Sequence, residues 1–553
     1  VKPFRSIRVA LAVLVLSAAV GAAAVQPIKA EAPEPDVVEI DLLYTSDIHG
    51  HIDPQKATFL NPQFPPPIGG GASAATYIKK VRAEAEKAGR GFILLDSGDL
   101  FQGTPVGMHT KGKAVIEWMN SVGYTAAALG NHDFDLGWKN AEELVRTAEF
   151  PILCANLYTT GTDKRVDWVK DMVMIDVAGV KTAIIGMVTE QTARISFAKN
   201  IDGITFRPLH EMLPLKVEEA RAQGAQFILF PAHAGLPYKP NLADVYKDMI
   251  EEEARGERPT EYEAMELAHY IHGVDIILAG HSHQGYDNPW EDPVTHTLVV
   301  EPYANGSSVG HITVKFDRRL GKMIGYETHH DRGALVTLFE DEFWPDQGTA
   351  ETIGAQVAIA EQGLDERIGE TRVNLQRGDA DRGNLGALVA DAIREYTSSD
   401  LAVQNTGGVR ADIAPGDVTK RDCLAVLPFG NTMVQTTVKG EFVRRLFEQK
   451  VGSYGPSLFI SGAVIEYDPT RPQGDRIRSI MIGGKPLDPA ADYTIAMTNF
   501  LSEGNSGMSL MREIADEDFR YTGNTDREAL ERFFQTHSPV NPKGESRWVR
   551  VSS

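Results

Sequence analysis

The chain has almost no cysteine: Cys154 and Cys423 are the only two in 553 residues. They sit far apart in sequence within hydrophobic stretches, CANL and CLAVLPF, and are expected as buried thiols; neither a disulfide framework nor a cysteine metal site is supported. Cationic residues are also in deficit, 55 Lys and Arg against 76 Asp and Glu, for a formal net charge of −21. Like charge opposes encounter with nucleic-acid polymers and anionic membrane surfaces, so both are poor partners. A small anionic substrate stays open if bound cations or arginines reverse the field where it sits. The triple glycine at 69–71 is followed by no Gly-Lys-Ser/Thr, which rejects a Walker-type phosphate loop. Internal repeats and low-complexity tracts are missing as well.

Long apolar runs are scarce, and the clearest lies near the start. Lys2, Arg5 and Arg8 precede an uncharged, alanine-rich run from Val9 to Val25, with small residues at Ala22 to Ala24. That pattern is expected to be a cleavable export signal over residues 1–30, leaving no stable membrane span. The run falls short of the roughly 20 residues a spanning helix needs, and no cysteine follows it for lipid attachment. The expected destination is a periplasm or the extracellular medium.

What remains is an ordinary globular composition, 42% hydrophobic and 24% charged, in a chain too long for one core. Strand-length apolar runs alternate with helical stretches, which predicts α/β architecture. An acid-rich stretch at 336–366 turns from strand-like to helical and is expected to connect a domain at 37–335 to a second at 367–553. GNLGALVADAIREYTS, beyond it, reads as an amphipathic helix. The charged segment between His233 and His281 is expected as a solvated excursion, with a lid as the alternative.

Five apolar runs in the first part each end in metal-capable side chains. They are VVEIDLLYTSDIHG (Asp47, His49), FILLDSGD (Asp99), YTAAALGNHDFD (Asn131, His132, Asp135), QFILFPAHAG (His233) and VDIILAGHSH (His281, His283). In open α/β sheets, loops at the carboxyl ends of strands converge on one crevice. Carboxylates, imidazoles and an amide oxygen suit borderline divalent ions such as Mn, Zn, Fe or Co, with Mg also admissible, whereas a calcium cage would not need four histidines. Asp47 and His49 can face one ion, His281 and His283 can serve different ions, and a carboxylate such as Asp99 can bridge. Two such cations about 3.5–4 Å apart hold a hydroxide for in-line attack on phosphorus. His132 has no separate structural role in GNHDFD; it can stabilise phosphoryl oxygens or protonate a leaving alkoxide, with Asp135 orienting it. His51, His109, His329 and His330 are expected to be solvated or locally bonded.

DIHG, GD, GNHDFD, the HAG histidine and GHSH, in order and spacing, resemble the motif set of calcineurin-like metallophosphoesterases. GNLGALVADAI, QNTGGVRADI, LPFGN and TNFLSEGNSG look like the C-terminal domain of the 5'-nucleotidase family, so the resemblance covers most of the chain after residue 37. It implies a four-layer α/β/β/α metal domain, a smaller α/β substrate domain and two divalent metal ions. It puts Asp47, His49, Asp99 and His283 on one ion, and Asp99, Asn131, His233 and His281 on the other, with His132 and Asp135 as the catalytic pair. Phe429 and Phe500 would clamp a base, a stacking worth about 1–3 kcal/mol per contact. Arg410 would bind phosphate, joined at the substrate site by Asn431 of LPFGN.

Departures from the family pattern cluster in the second half. Ser506 stands where a ribose-binding carboxylate is usual and remains a substrate-binding candidate whose hydroxyl can still bond to the sugar, Thr406 replaces a glycine, and the phosphate-binding arginines are out of register, with Arg377 and Arg382 as candidates. The implied activity is hydrolysis of nucleotide phosphate esters: nucleoside monophosphates, with nucleotide sugars or cyclic nucleotides as further substrates. The alternatives are a 2',3'-cyclic-nucleotide phosphodiesterase, a phosphatase indifferent to the base, and a non-catalytic nucleotide- or metal-binding exterior protein. The last would be free to lose His132 or the bridging carboxylate, and both are present. Oligomeric state is left between monomer and homodimer.

Overall fold

Alternation along the strands decides the architecture. In the strand Val37–Thr45, Ile40, Leu42 and Tyr44 point to one side and Leu43 to the other, and in Gly91–Asp96, Ile93 and Leu95 oppose Leu94. Side chains of a strand alternate between faces, so a strand apolar on both faces needs a layer on each. A computed structural model describes residues 36–551 except 58–59, 62–63, 238–240, 260, 329–332, 453–454 and 543–545. The expected export signal and the pair His329 and His330 lie outside the described residues.

Two sheets dominate the first part. One runs Lys322–Thr328, Ser308–Asp317, Val37–Thr45, Gly91–Asp96, Ala126–Ala128, Ile152–Leu153, with Leu335–Thr337 added to Ser308–Asp317. The other runs Trp290–Glu291, Leu298–Val300, Ile276–Leu278, Phe227–His233, Val180–Ile185, Met172–Val177, with Met187–Val188 on Phe227–His233. Their facing sides share one core that includes Ile40, Leu42, Ile184, Phe227, Leu229 and Ile276. Each fully buried side chain of this kind contributes about 1.5–3 kcal/mol. The helices Gly70–Ala88 and Lys113–Val122 cover the outer face of the first sheet, and Leu209–Ala222 and Ala264–Tyr270 that of the second. The result is four layers, α/β/β/α.

Val37–Thr45, Gly91–Asp96 and Ala126–Ala128 are parallel neighbours, as are Phe227–His233 and Ile276–Leu278 in the other sheet. These are the five runs that end in candidate ligands, so their carboxyl ends open together. The stretch after residue 335 stays with this half. Asp346 caps the helix Gln347–Ala360, and Ser73 and Thr76 donate to the carbonyls of Phe343 and Trp344. Just beyond, Arg421 of the second half pairs with Glu361 and Asp365.

In the second part a five-stranded sheet runs Leu458–Ser461, Leu401–Asn405, Asp492–Thr498, Thr432–Lys439, Arg520–Thr525. A four-stranded sheet, Lys485–Pro486, Ile477–Ile482, Ala463–Tyr467, Trp548–Arg550, shares its core, as do the helices Asn384–Thr397 and Asp526–His537. The amphipathic helix read from GNLGALVADAIREYTS is Asn384–Thr397, with Leu385, Leu388, Val389 and Ile393 inward. From Val37 on, the chain is one compact unit. Cys154 and Cys423 are both buried and free.

Candidate dinuclear metal site and substrate cleft

The loops leaving Val37–Thr45, Gly91–Asp96 and Ile276–Leu278 turn sharply. Asp47, His49, Asp99, His281 and His283 all have positive φ, from 51° to 73°, a region non-glycine residues enter at a cost. The loops also approach closely: a side chain on Gly130 would lie 2.2 Å from the amide and carboxylate of Asp99, and one on Gly280 2.1 Å from Ser46 Oγ. These contortions bring seven side chains together.

Asp47, His49 and His283 form one cluster and Asp47, Asp99 and His233 a second, each with ligand atoms within 4.8 Å of one another. Asp99 Oδ2 lies 3.6 Å from His49 Nε2 and 3.2 Å from His233 Nε2, between the two groups. Asn131 Oδ1 is 3.0 Å from His233 Nε2, and the His281 ring is 5.1 Å from that of His233. Asp47 belongs to both groups, and both its oxygens accept the His281 amide, at 3.1 and 3.0 Å.

The residues present fit a pair of divalent cations. His49 Nδ1 donates to Gln102 O at 2.6 Å and His233 Nδ1 to Ser97 O at 2.8 Å, which turns both Nε2 atoms to the cluster. There His49 Nε2 is 3.0 Å from His283 Nε2 beside two buried carboxylates, and among the described residues no lysine or arginine pairs with Asp47 or Asp99. Burial, reinforced by His233, holds His281 down at about 4, and burial keeps His49 well below the usual imidazole range. At His233 burial opposes charge, but Asp99 and Asp47 outweigh it and raise the ring to about 10, so this one imidazole would give up a proton to ligate. Neutral imidazole is the form that ligates, and an N/O set of this kind selects borderline divalent ions.

His132 stands beside the cluster. Its amide donates to Asp99 Oδ1 at 2.7 Å, and its Nδ1 donates to Asp135 Oδ2 at 2.7 Å, leaving Nε2 free for the cleft. Burial works against a charged ring, but the carboxylates of Asp135 and Asp99 outweigh it and raise His132 to about 9.

A cavity of about 620 Å³ opens over these groups, lined by Asp99, Asn131, His132, Asp135, His281 and His283 on one side and by Asn405, Arg410, Phe429, Asn431 and Phe500 on the other. The Phe429 ring stacks 5.8 Å from His132, and the Arg410 guanidinium is 5.8 Å from the Phe429 ring. Ser506 is not brought into the cavity; it is exposed, with φ 51°, and its carbonyl accepts from Lys450. Nor are Arg377 and Arg382: Arg377 donates to the Arg410 carbonyl at 3.2 Å, and Arg382 is exposed beside Asp381. His51 bonds locally, 3.3 Å from Ile48 O, and His109 is exposed at a helix end.

Several contributors escaped the sequence reading. The Asp133 carboxylate accepts the amides of Asp99, Leu100 and Gly130 at 3.2, 2.9 and 2.8 Å, tying two ligand loops together. Glu301 does the same on the other sheet, accepting Ser282 Oγ and the Gln284 amide with one oxygen and the Leu236 amide with the other. Asp133 could have been suspected from its place inside GNHDFD; Glu301 ends a plain apolar strand. The segment between His233 and His281 is more than a solvated excursion. Leu242, Met249, Ala264 and Met265 enter the core, and Glu263 and Glu266 line the cavity.

Comparisons with known proteins agree with this arrangement. Residues 40–285 match the calcineurin-like phosphoesterase family and residues 364–513 the 5'-nucleotidase C-terminal domain. The chain is 28% identical to Protein UshA of Yersinia enterocolitica over 92% of its own length and 94% of the relative's, and 27% identical to the 5'-nucleotidase of Vibrio parahaemolyticus over 92% of each. The crystal structure of a 5'-nucleotidase precursor from Thermus thermophilus superposes with a TM-score of 0.78 at 26% identity, covering 93% of this chain and all of that one. With ligand loops and substrate cleft both accounted for, the chain belongs to the 5'-nucleotidase family, as a metal-dependent phosphoric ester hydrolase whose two halves are a calcineurin-like phosphoesterase domain and a 5'-nucleotidase C-terminal domain.

Proposed function

We propose that the enzyme hydrolyses 5'-nucleotides, cleaving the phosphate ester at the floor of the cleft while the base is gripped at its mouth. The observation that carries this is the single cavity shared by the His132–Asp135 pair and by Arg410, Phe429, Asn431 and Phe500. Asp47, His49, Asp99 and His283 would hold one divalent ion, and Asp99, Asn131, His233 and His281 the other. When bound, the ions supply Lewis acidity and a nucleophile at neutral pH. Arg410 orients the phosphate through its planar guanidinium. His132, fixed at Nδ1 by Asp135, presents Nε2 to the phosphoryl oxygens and gives a proton to the departing alkoxide. Phe429 and Phe500 supply flat apolar surface on which any base can stack. Limits of 37–335 and 367–553 for the two domains, with 336–366 as a connection packed on the first, go with this reading, as do export through residues 1–30 to a periplasm or the medium and a monomeric or homodimeric state.

A 2',3'-cyclic-nucleotide phosphodiesterase is the second reading, favoured by the exposed Ser506 and by Arg377 and Arg382 lying outside the cavity. Sugar recognition would then be loose and the phosphate position more tolerant.

His132→Asn tests the assigned chemistry. Turnover of adenosine monophosphate should fall roughly a hundred- to ten-thousand-fold with metal content by plasma emission unchanged. Retained metal together with wild-type turnover would remove His132 from the mechanism.

A further inference from the structure

Phe197 belongs to no motif and lies in the phosphoesterase half, yet its ring is part of the wall of the cleft. It follows the short helix Thr192–Ile195 in extended backbone and is half-buried. Its ring meets that of Phe500 edge-on, centroids 5.9 Å apart and planes at 86°. The next residue, Ala198, donates its amide to Glu503 Oε2 at 3.1 Å, just past the helix Asn499–Ser502 that carries Phe500. Three residues after Phe197, Asn200 Nδ2 donates to the Asp135 carbonyl at 2.6 Å. One short loop therefore grips the substrate-binding segment at one end and the backbone of the acid that orients His132 at the other.

We infer that Phe197 is a specificity-determining residue for the nucleobase, a third aromatic supplied by the metal-bearing half that closes the end of the base site beside Phe500. The inference rests on the nucleotide reading given above. Edge-on aromatic pairs place one ring's positive rim against its neighbour's surface, so a base lying along Phe500 meets Phe197 as an end wall. Because Asn200 ties the loop to Asp135, the base is held in register with the phosphate chemistry. Because Phe197 and Phe500 come from different halves, the wall is complete only when the halves meet as they do here. A base-free sugar phosphate would reach Arg410 and His132 without touching it.

The test is steady-state kinetics of full-length Phe197→Ala on adenosine monophosphate and ribose 5-phosphate, with Phe500→Ala in parallel and Phe197→Leu as the variant that keeps apolar volume should the alanine form fold poorly. Phe197→Ala should raise KM for the nucleotide about 5- to 20-fold, as loss of an aromatic contact to a base does. Its kcat, and both constants on ribose 5-phosphate, should stay within about twofold of wild type, the mark of binding lost equally from ground and transition states. Phe197→Leu should fall between. If Phe500→Ala separates the two substrates while Phe197→Ala affects both alike or neither, the inference is overturned and the nucleotide reading stands. If neither variant separates them, base recognition itself fails and takes the inference with it.

Discussion

The two halves of the active cleft are built by opposite means. On the metal side the candidate ligand groups are spoken for, though Gln102 Nε2 beside them has no partner among the described residues: Asp47, Asp99 and His233 are at most 1% exposed, two histidines have their ring orientation fixed by backbone carbonyls, and Asp133 and Glu301 collect amides from the loops that carry these groups. On the substrate side several buried amide atoms have no partner among the described residues. Gln404, fully buried, has no partner for either amide atom among the described residues; the same holds for Asn405 Oδ1 and Asn505 Nδ2. A buried amide without a partner costs roughly 1–3 kcal/mol, and a site that binds a polar ligand can carry that cost because the ligand relieves it. Of these three, only Asn405 lines the cavity, so only its Oδ1 is placed to meet a ligand there; Gln404 and Asn505 lie outside the lining.

The comparison can be broken first at Glu301. Glu301→Gln leaves size intact but replaces one of two accepting oxygens with a donor facing a backbone amide, Leu236 N or Gln284 N. Metal affinity by competition with a chelator should weaken about 10- to 100-fold, the usual consequence of disturbing the groups that orient metal ligands. Unchanged affinity would mean that the loops hold themselves and that rigidity on this side has another source.

A smaller effect is expected away from the cleft, where the same half holds Asp41. Burial opposes its charge, but hydrogen bonds from His311, Thr313 and Arg90 outweigh burial and keep it at about 2. A carboxyl depressed in the folded state stabilises above its unfolded value, near pH 4, and that stability is lost as pH falls through about 2. The contribution is about 2 kcal/mol. Asp41→Asn should lower the neutral-pH denaturation midpoint and flatten its fall between about pH 4 and 2. An acid limb as steep as wild type would show that other carboxylates govern it.

The same contrast explains what was legible in the sequence. Asp47, His49, Asp99, Asn131, His132, His233, His281 and His283 each sit a few residues past an apolar run, so strand pattern and ligand chemistry coincide locally. Parallel pairing then brings the strand ends together. Asp133 and Glu301 act through backbone amides of loops remote in sequence, which no local pattern records. Phe197 and Glu263 come from segments whose composition resembles any surface loop, and they become part of the cleft only through tertiary packing. Ser506 is the converse: its place in the run Gly504 to Gly507 suggested a ligand contact, while the left-handed backbone and the bond from Lys450 leave its side chain outside the cavity.

Under the proposed function, hydrolysis depends on ions held by the first half and on a base held by the second. Phosphate release should therefore be measured from adenosine monophosphate and from ribose 5-phosphate by metal-stripped enzyme, with and without added Mn or Zn. Negligible release is expected without metal and, with it, release that favours the nucleotide. Equal release from both substrates would contradict the base-binding half, and undiminished release after stripping would contradict the metal half.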